Sequence, residues 1–126
     1  MLSEIQINII SELDRLVKRE YELIALSGVI TELQGLLSKY EKEGRVRLRK
    51  KVEFALEFLK TAQIKIFKEE LLSSEPIDEY IIRVARKKEF IVATNDQELR
   101  RKLRDEHIAV VFVRQKSYLA VDGFIG

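Results

Sequence analysis

Apolar positions near the start of the chain recur every three or four residues: Ile5, Ile9, Leu13, Leu16 and Val17. That spacing lines one face of a helix, so it predicts an amphipathic helix over residues 2–17, with Ser3 as its N-cap. Residues 21–26 are a short apolar-rich run closed by Ser27 and Gly28. The run is too short for a helix and predicts a buried strand. Helical spacing returns over residues 29–40, through Val29, Ile30, Leu33, Leu36 and Leu37. Residues 41–51 are strongly charged and contain Gly44, which predicts a connection running into a helix that carries Val52, Ala55, Leu56 and Leu59.

Residues 64–67 predict a second strand. Pro76, just before an apolar run, suits the start of a helix whose buried face holds Ile77, Ile81, Val84 and Ala85. A third strand follows at 90–93, a short charged helix at 96–104 with Leu99 and Leu103 on one side, and a fourth strand at 108–113. The tail from Gln115 onward is left open. Helices alternate with short apolar strands, and no hairpin dipeptide joins any two of them. The fold class is therefore α/β, a parallel sheet of about four strands with helices on both faces. At 126 residues the chain is expected to form one domain around one core.

Composition narrows the chemistry. With 46% hydrophobic and 35% charged residues, the chain is not a disordered tail. No apolar run reaches the roughly 18 residues of a membrane span, and no secretory leader is evident, so a cytoplasmic location is expected. The absence of cysteine excludes disulfides and thiolate zinc sites. A single histidine, His107, argues against Ser-His-Asp and His-rich metal chemistry, and its place between a charged helix and a strand predicts a turn residue. A metal site would need carboxylates, whose oxygens suit Mg²⁺ or Mn²⁺. The net charge of +2 does not by itself announce nucleic acid.

In open parallel sheets, ligands gather at the carboxyl ends of the strands. Four acids lie near helix starts there: Glu32 after the first strand, Asp78 and Glu79 after Pro76, and Asp96 behind Thr94 and Asn95. Each has an ordinary explanation. Asp96 is a good N-cap, Asp78 and Glu79 suit a helix first turn, and Glu32 suits an exposed helix face. The alternative is a cluster. Phosphodiester hydrolysis needs a nucleophilic water and neutralised charge at the leaving oxygen, and divalent ions on a few carboxylates can supply both.

The stretch of residues 90–100, with its Ala93-Thr94-Asn95-Asp96 core, resembles the signature of PIN-domain ribonucleases. It looks closest to the archaeal branch akin to the eukaryotic PIN endonuclease of early pre-ribosomal RNA processing. Residues 23–33 look like that family's strand and Glu-bearing helix, 76–85 like its acidic helix start, and 108–116 like its closing strand and basic exit. The resemblance implies a three-layer PIN-like fold and a metal-dependent endoribonuclease using Mg²⁺ or Mn²⁺. It makes Glu32, Glu79 and Asp96 the metal-site acids. Asp78 is one position early but chemically closer to the family's usual Asp. Thr94 and Asn95 would shape the turn presenting Asp96, with Glu98 in support.

The family opens with a strand carrying Leu-Asp-Thr-Asn or similar, and residues 5–13 look like the segment after it. The leading strand and its Asp are therefore expected to be missing. The resulting open sheet edges are expected to close by direct pairing, by a tail strand or by a second chain, with a homodimer as the expected state. An inactive PIN-like RNA-binding or assembly module is the alternative function. The densest basic run, Arg45, Arg47, Arg49, Lys50 and Lys51, is the candidate RNA contact, ahead of Arg83–Lys88, Arg100–Arg104, Arg114 and Lys116. A structured RNA such as a ribosomal precursor is the expected partner. A toxin-type nuclease held by an antitoxin ranks lower because of the closing Arg114-Gln115-Lys116 stretch. The four tyrosines are scattered and suggest no stacking platform.

Overall fold

A computed structural model describes residues 8–62 and 64–125. The described chain divides into two compact units, residues 22–77 and residues 8–21 with 78–125. Ser3, expected as a helix cap, lies outside the described residues.

In the first unit, β1 (Ile24–Leu26) leads directly into α2 (Ser27–Lys42), then α3 (Val46–Thr61) and β2 (Lys65–Phe67). The strands pair in parallel, with Ile24 opposite Lys65 and Leu26 opposite Phe67. A parallel pair needs a long crossover, and here a helical hairpin supplies it. The basic stretch expected as a connection is mostly helix, and the turn is only Glu43, Gly44 and Arg45. Gly44 makes that turn possible. Its φ of +67° lets Arg45 N–H reach Tyr40 O at 2.9 Å and Gly44 N–H reach Glu41 O at 3.3 Å. Those two bonds close the end of α2 in a Schellman motif. At the carboxyl ends of the strands, the Ser27 hydroxyl donates to Glu69 O and accepts from Glu69 N–H, both at 3.1 Å.

The second unit holds α1 (Ile9–Leu16), α4 (Ile77–Lys88), β3 (Val92–Ala93), α5 (Gln97–Asp105), β4 (Val110–Arg114) and β5 (Tyr118–Asp122). Asn8 caps α1, its side chain accepting from Ser11 N–H at 3.0 Å, and the part of the expected helix before it lies outside the described residues. The sheet order is β3-β4-β5, with β3 parallel to β4. The open tail is a fifth strand, antiparallel to β4 in a hairpin that pairs Arg114 with Tyr118. No turn dipeptide marked that hairpin, because Gln115 and Lys116 themselves take the left-handed backbone, at φ 53° and 56°. The core joins Ala85, Leu99, Leu103, Ile108 and Val110, with Ile81, Phe90 and Val92 packed against them.

The outer side of β5 is an exposed sheet edge, and α1 covers part of it. Arg15 Nη2 donates to Leu119 O at 2.8 Å, and Leu119 N–H donates to Glu12 Oε1 at 2.9 Å. The two side chains thus take one residue's free backbone donor and acceptor. Among the described residues, no helix is long and apolar enough to cross a membrane.

Candidate functional site

The carboxyl ends of β3 and β4 are held by three consecutive polar side chains. Thr94 N–H continues the ladder to Val111 O at 3.0 Å, and Thr94 Oγ1 accepts from Asp96 N–H at 3.1 Å. Asn95 Oδ1 then accepts from Val113 N–H at 2.8 Å, where a backbone carbonyl would have stood had β3 continued. Asp96 Oδ1 accepts from Leu99 N–H at 3.0 Å and caps α5. Every predicted residue of this turn is thus fixed by local bonding, and Asp96 is exposed.

Beside the turn lies a cleft of about 390 Å³ between the start of α5 and the end of β4. Thr94, Asn95, Gln97 and Arg100 form one wall, and residues 112–115 the other. The Arg100 guanidinium stands 4.0 Å over the Phe112 ring. Asp122 lies 3.6 Å from Arg100 Nε and 3.2 Å from Arg104 Nε, so one carboxylate on β5 braces both arginines. None of the cleft's lining residues carries a carboxylate. Arg100, Gln97, Phe112, Arg114 and Gln115 were not foreseen as one group, and Arg100 and Arg114 stood only among the lower-ranked basic residues.

The acids are placed as follows. Asp78 opens α4, half-buried, with Lys102 Nζ at 3.6 Å; the same ammonium is 3.7 Å from Glu98. Lys102 on α5 therefore brings Asp78 and Glu98 to one cation. Glu79 is exposed beside Asp78, and Glu32 is exposed on α2 in the other unit. Among the described residues, no three acidic or histidine side chains stand together as a site for a metal ion. Asp96 spends one carboxylate oxygen on the cap bond, and Asp78 faces the Lys102 ammonium.

The basic run occupies the start of α3. Arg45 pairs with Glu43 at 3.1 Å and Arg49 with Glu53 at 2.8 Å, while Lys50 is exposed. α3 has no side-chain cap and no acid in its first turn. Cations thus crowd the positive end of a helix, which is locally unfavourable. His107 is an exposed turn residue with φ +62°. Tyr80 is fully buried core, and Tyr21 donates from its hydroxyl to Asp14 at 2.6 Å.

The model of the PIN-like domain family matches residues 1–116 of this chain. The chain is also 36% identical, over 121 residues, to the ribonuclease VapC4 of Methanocaldococcus jannaschii. That alignment spans 95% of this chain and 87% of that protein.

Proposed function

Because this chain belongs to the PIN-like domain family, we propose that it is a PIN-type endoribonuclease, hydrolysing phosphodiester bonds of structured RNA. The observation that carries this reading is the likeness to a ribonuclease over 95% of the chain. The Thr94-Asn95-Asp96 turn at the carboxyl ends of two parallel strands supports it. Asp96, Glu32 and Glu79, with Asp78 as the alternative to Glu79, are proposed as the site acids from their order in the sequence. Dependence on Mg²⁺ or Mn²⁺ is proposed on the same resemblance. Arg45, Arg47, Arg49, Lys50 and Lys51 are proposed to hold RNA phosphates without reading sequence. Ribosomal precursors are the proposed substrate. A second reading, a toxin-type nuclease held by an antitoxin, is favoured by the likeness to VapC4 specifically. A homodimer located in the cytoplasm completes the proposal; sedimentation at micromolar concentration showing only monomer would remove the dimer.

The test is incubation of the chain with structured RNA in Mn²⁺, with and without EDTA, beside Asp96→Asn and Glu32→Gln. Cleavage that EDTA and both variants abolish is expected. Binding without cleavage would favour the inactive RNA-binding module instead.

A further inference from the structure

The cleft between α5 and the end of β4 is not used by the acids. It has a volume of about 390 Å³, within the range of sites that hold a small organic ligand. It offers three kinds of group. The first is a flat cation. The Arg100 guanidinium lies 4.0 Å over the Phe112 ring, and Asp122 braces its Nε from the side. A guanidinium held on two sides loses little further freedom when a second flat group stacks on its open face.

The second is an uncompensated charge. Arg114 ends β4, is exposed, and has no ion-pair partner among the described residues. The third is a set of carboxamides. Asn95 spends its oxygen on Val113 N–H, which leaves its NH₂ as a donor, and Gln97 adds a second amide on the same wall. A π-face beside a cation and amide donors, with no lining carboxylate to repel an anion, fits a planar base joined to a phosphate.

We propose that this cleft takes one nucleotide of an RNA strand, its base stacked on the Arg100 guanidinium that Phe112 backs and its phosphate held by Arg114. The inference rests on the ribonuclease reading for the source of the nucleotide, since the cleft chemistry alone suits a free nucleotide equally. It makes the turn carrying Asp96 and the cleft neighbours on the same strand ends.

The test uses the isotope-labelled full chain. AMP, inorganic phosphate and a twelve-nucleotide single-stranded RNA are titrated in separately, with EDTA present to keep the RNA uncut. The backbone amides of Gln97, Arg114 and Gln115 are expected to shift with AMP and with RNA, and less with phosphate. Arg114→Ala is expected to weaken RNA binding about tenfold and to lower the salt slope by about 0.7, the value for one phosphate contact on a single strand. Arg114→Lys should restore most of that loss. Phe112→Leu should weaken binding by about tenfold, within the range for one base stack. Amide shifts with AMP but none with RNA would overturn the proposal in favour of a free-nucleotide site. RNA bound equally well by Arg114→Ala and by wild type would also overturn it while leaving the ribonuclease reading intact. Amide shifts with both ligands in a chain that never cuts RNA would keep the cleft and remove the nuclease. Because Phe112 is half-buried, Arg114→Ala decides the question should the leucine variant misfold.

Discussion

Glu89 and His107 both hold a left-handed backbone, at φ 58° and 62°. Each lies just past a helix, and in each case the next N–H returns to a helix carbonyl. Phe90 N–H meets Ala85 O at 2.9 Å, and Ile108 N–H meets Leu103 O at 2.9 Å. Leu103 and Ile108 are also core partners, the apolar contact that accompanies such an ending. A β-carbon in this conformation costs about 1–2 kcal/mol, and glycine removes the cost at some expense in unfolded-state entropy. His107→Gly and Glu89→Gly should therefore each stabilise by about 0.5–1 kcal/mol, read as a melting temperature higher by about 2–4 °C. A lower value would mean that the side chain does something the backbone does not reveal. Gly123 is the opposite case. Its φ is +104°, and a β-carbon there would stand 3.0 Å from the Ala109 Cα and closer still to the Arg104 guanidinium. At the candidate site, Asn95→Ala would leave Val113 N–H without its acceptor. A loss of about 1–2 kcal/mol in thermal unfolding is expected, with Asn95→Asp retaining most of the stability because an oxygen still faces the amide.

At the scale of elements, α1 and β5 are joined in part through polar groups. The Arg15 guanidinium bonded to Glu12, together with Leu119 N–H, holds the Glu12 carboxyl below the ordinary glutamate range. A lowered acid contributes stability above its unfolded value, about 4.3, and loses it as pH falls through the folded value. The melting temperature of wild type should therefore exceed that of Glu12→Gln at pH 7, and the gap should shrink as pH drops below about 4.3. A gap that stays constant with pH would sink this account of the docking. The same scale shows what a reader of the sequence can find. β1, β2, β3 and β4 are apolar runs between helical patterns, and the runs marked them. β5 escaped because Gln115-Lys116 supplies the turn without the Asn-Gly that usually announces one. The start of α3 escaped because it has neither cap nor first-turn acid, so the basic run looked like a loop. The Thr94-Asn95-Asp96 turn was legible, being three polar residues directly after a strand. The cleft was not, because Arg100 and Phe112 meet only through the register that sets Ala93 opposite Val111.

At the scale of the whole molecule, 23 basic and 21 acidic residues leave a net charge of +2, too little to steer a polyanion from a distance. Screening at physiological salt confines each charge to about 8 Å, so RNA would be drawn by local groups of cations rather than by the overall field. The start of α3 is one such group, and charge reversal there separates two explanations. If the run is an ordinary charged face, Arg47→Glu/Lys50→Glu should leave RNA affinity to follow net charge alone. If Arg47 and Lys50 hold phosphates, the same pair should weaken RNA binding by tenfold or more and reduce the salt slope by about 1.4. The matched control is Lys18→Glu/Arg19→Glu, which changes net charge equally at exposed residues between α1 and β1. Titration of RNA at several salt concentrations reads both effects. Equal slopes for the two double variants would show that the run on α3 is an ordinary charged face, whereas a shallower slope and weaker binding for the α3 pair alone would show that these cations sit at the helix start to hold phosphates.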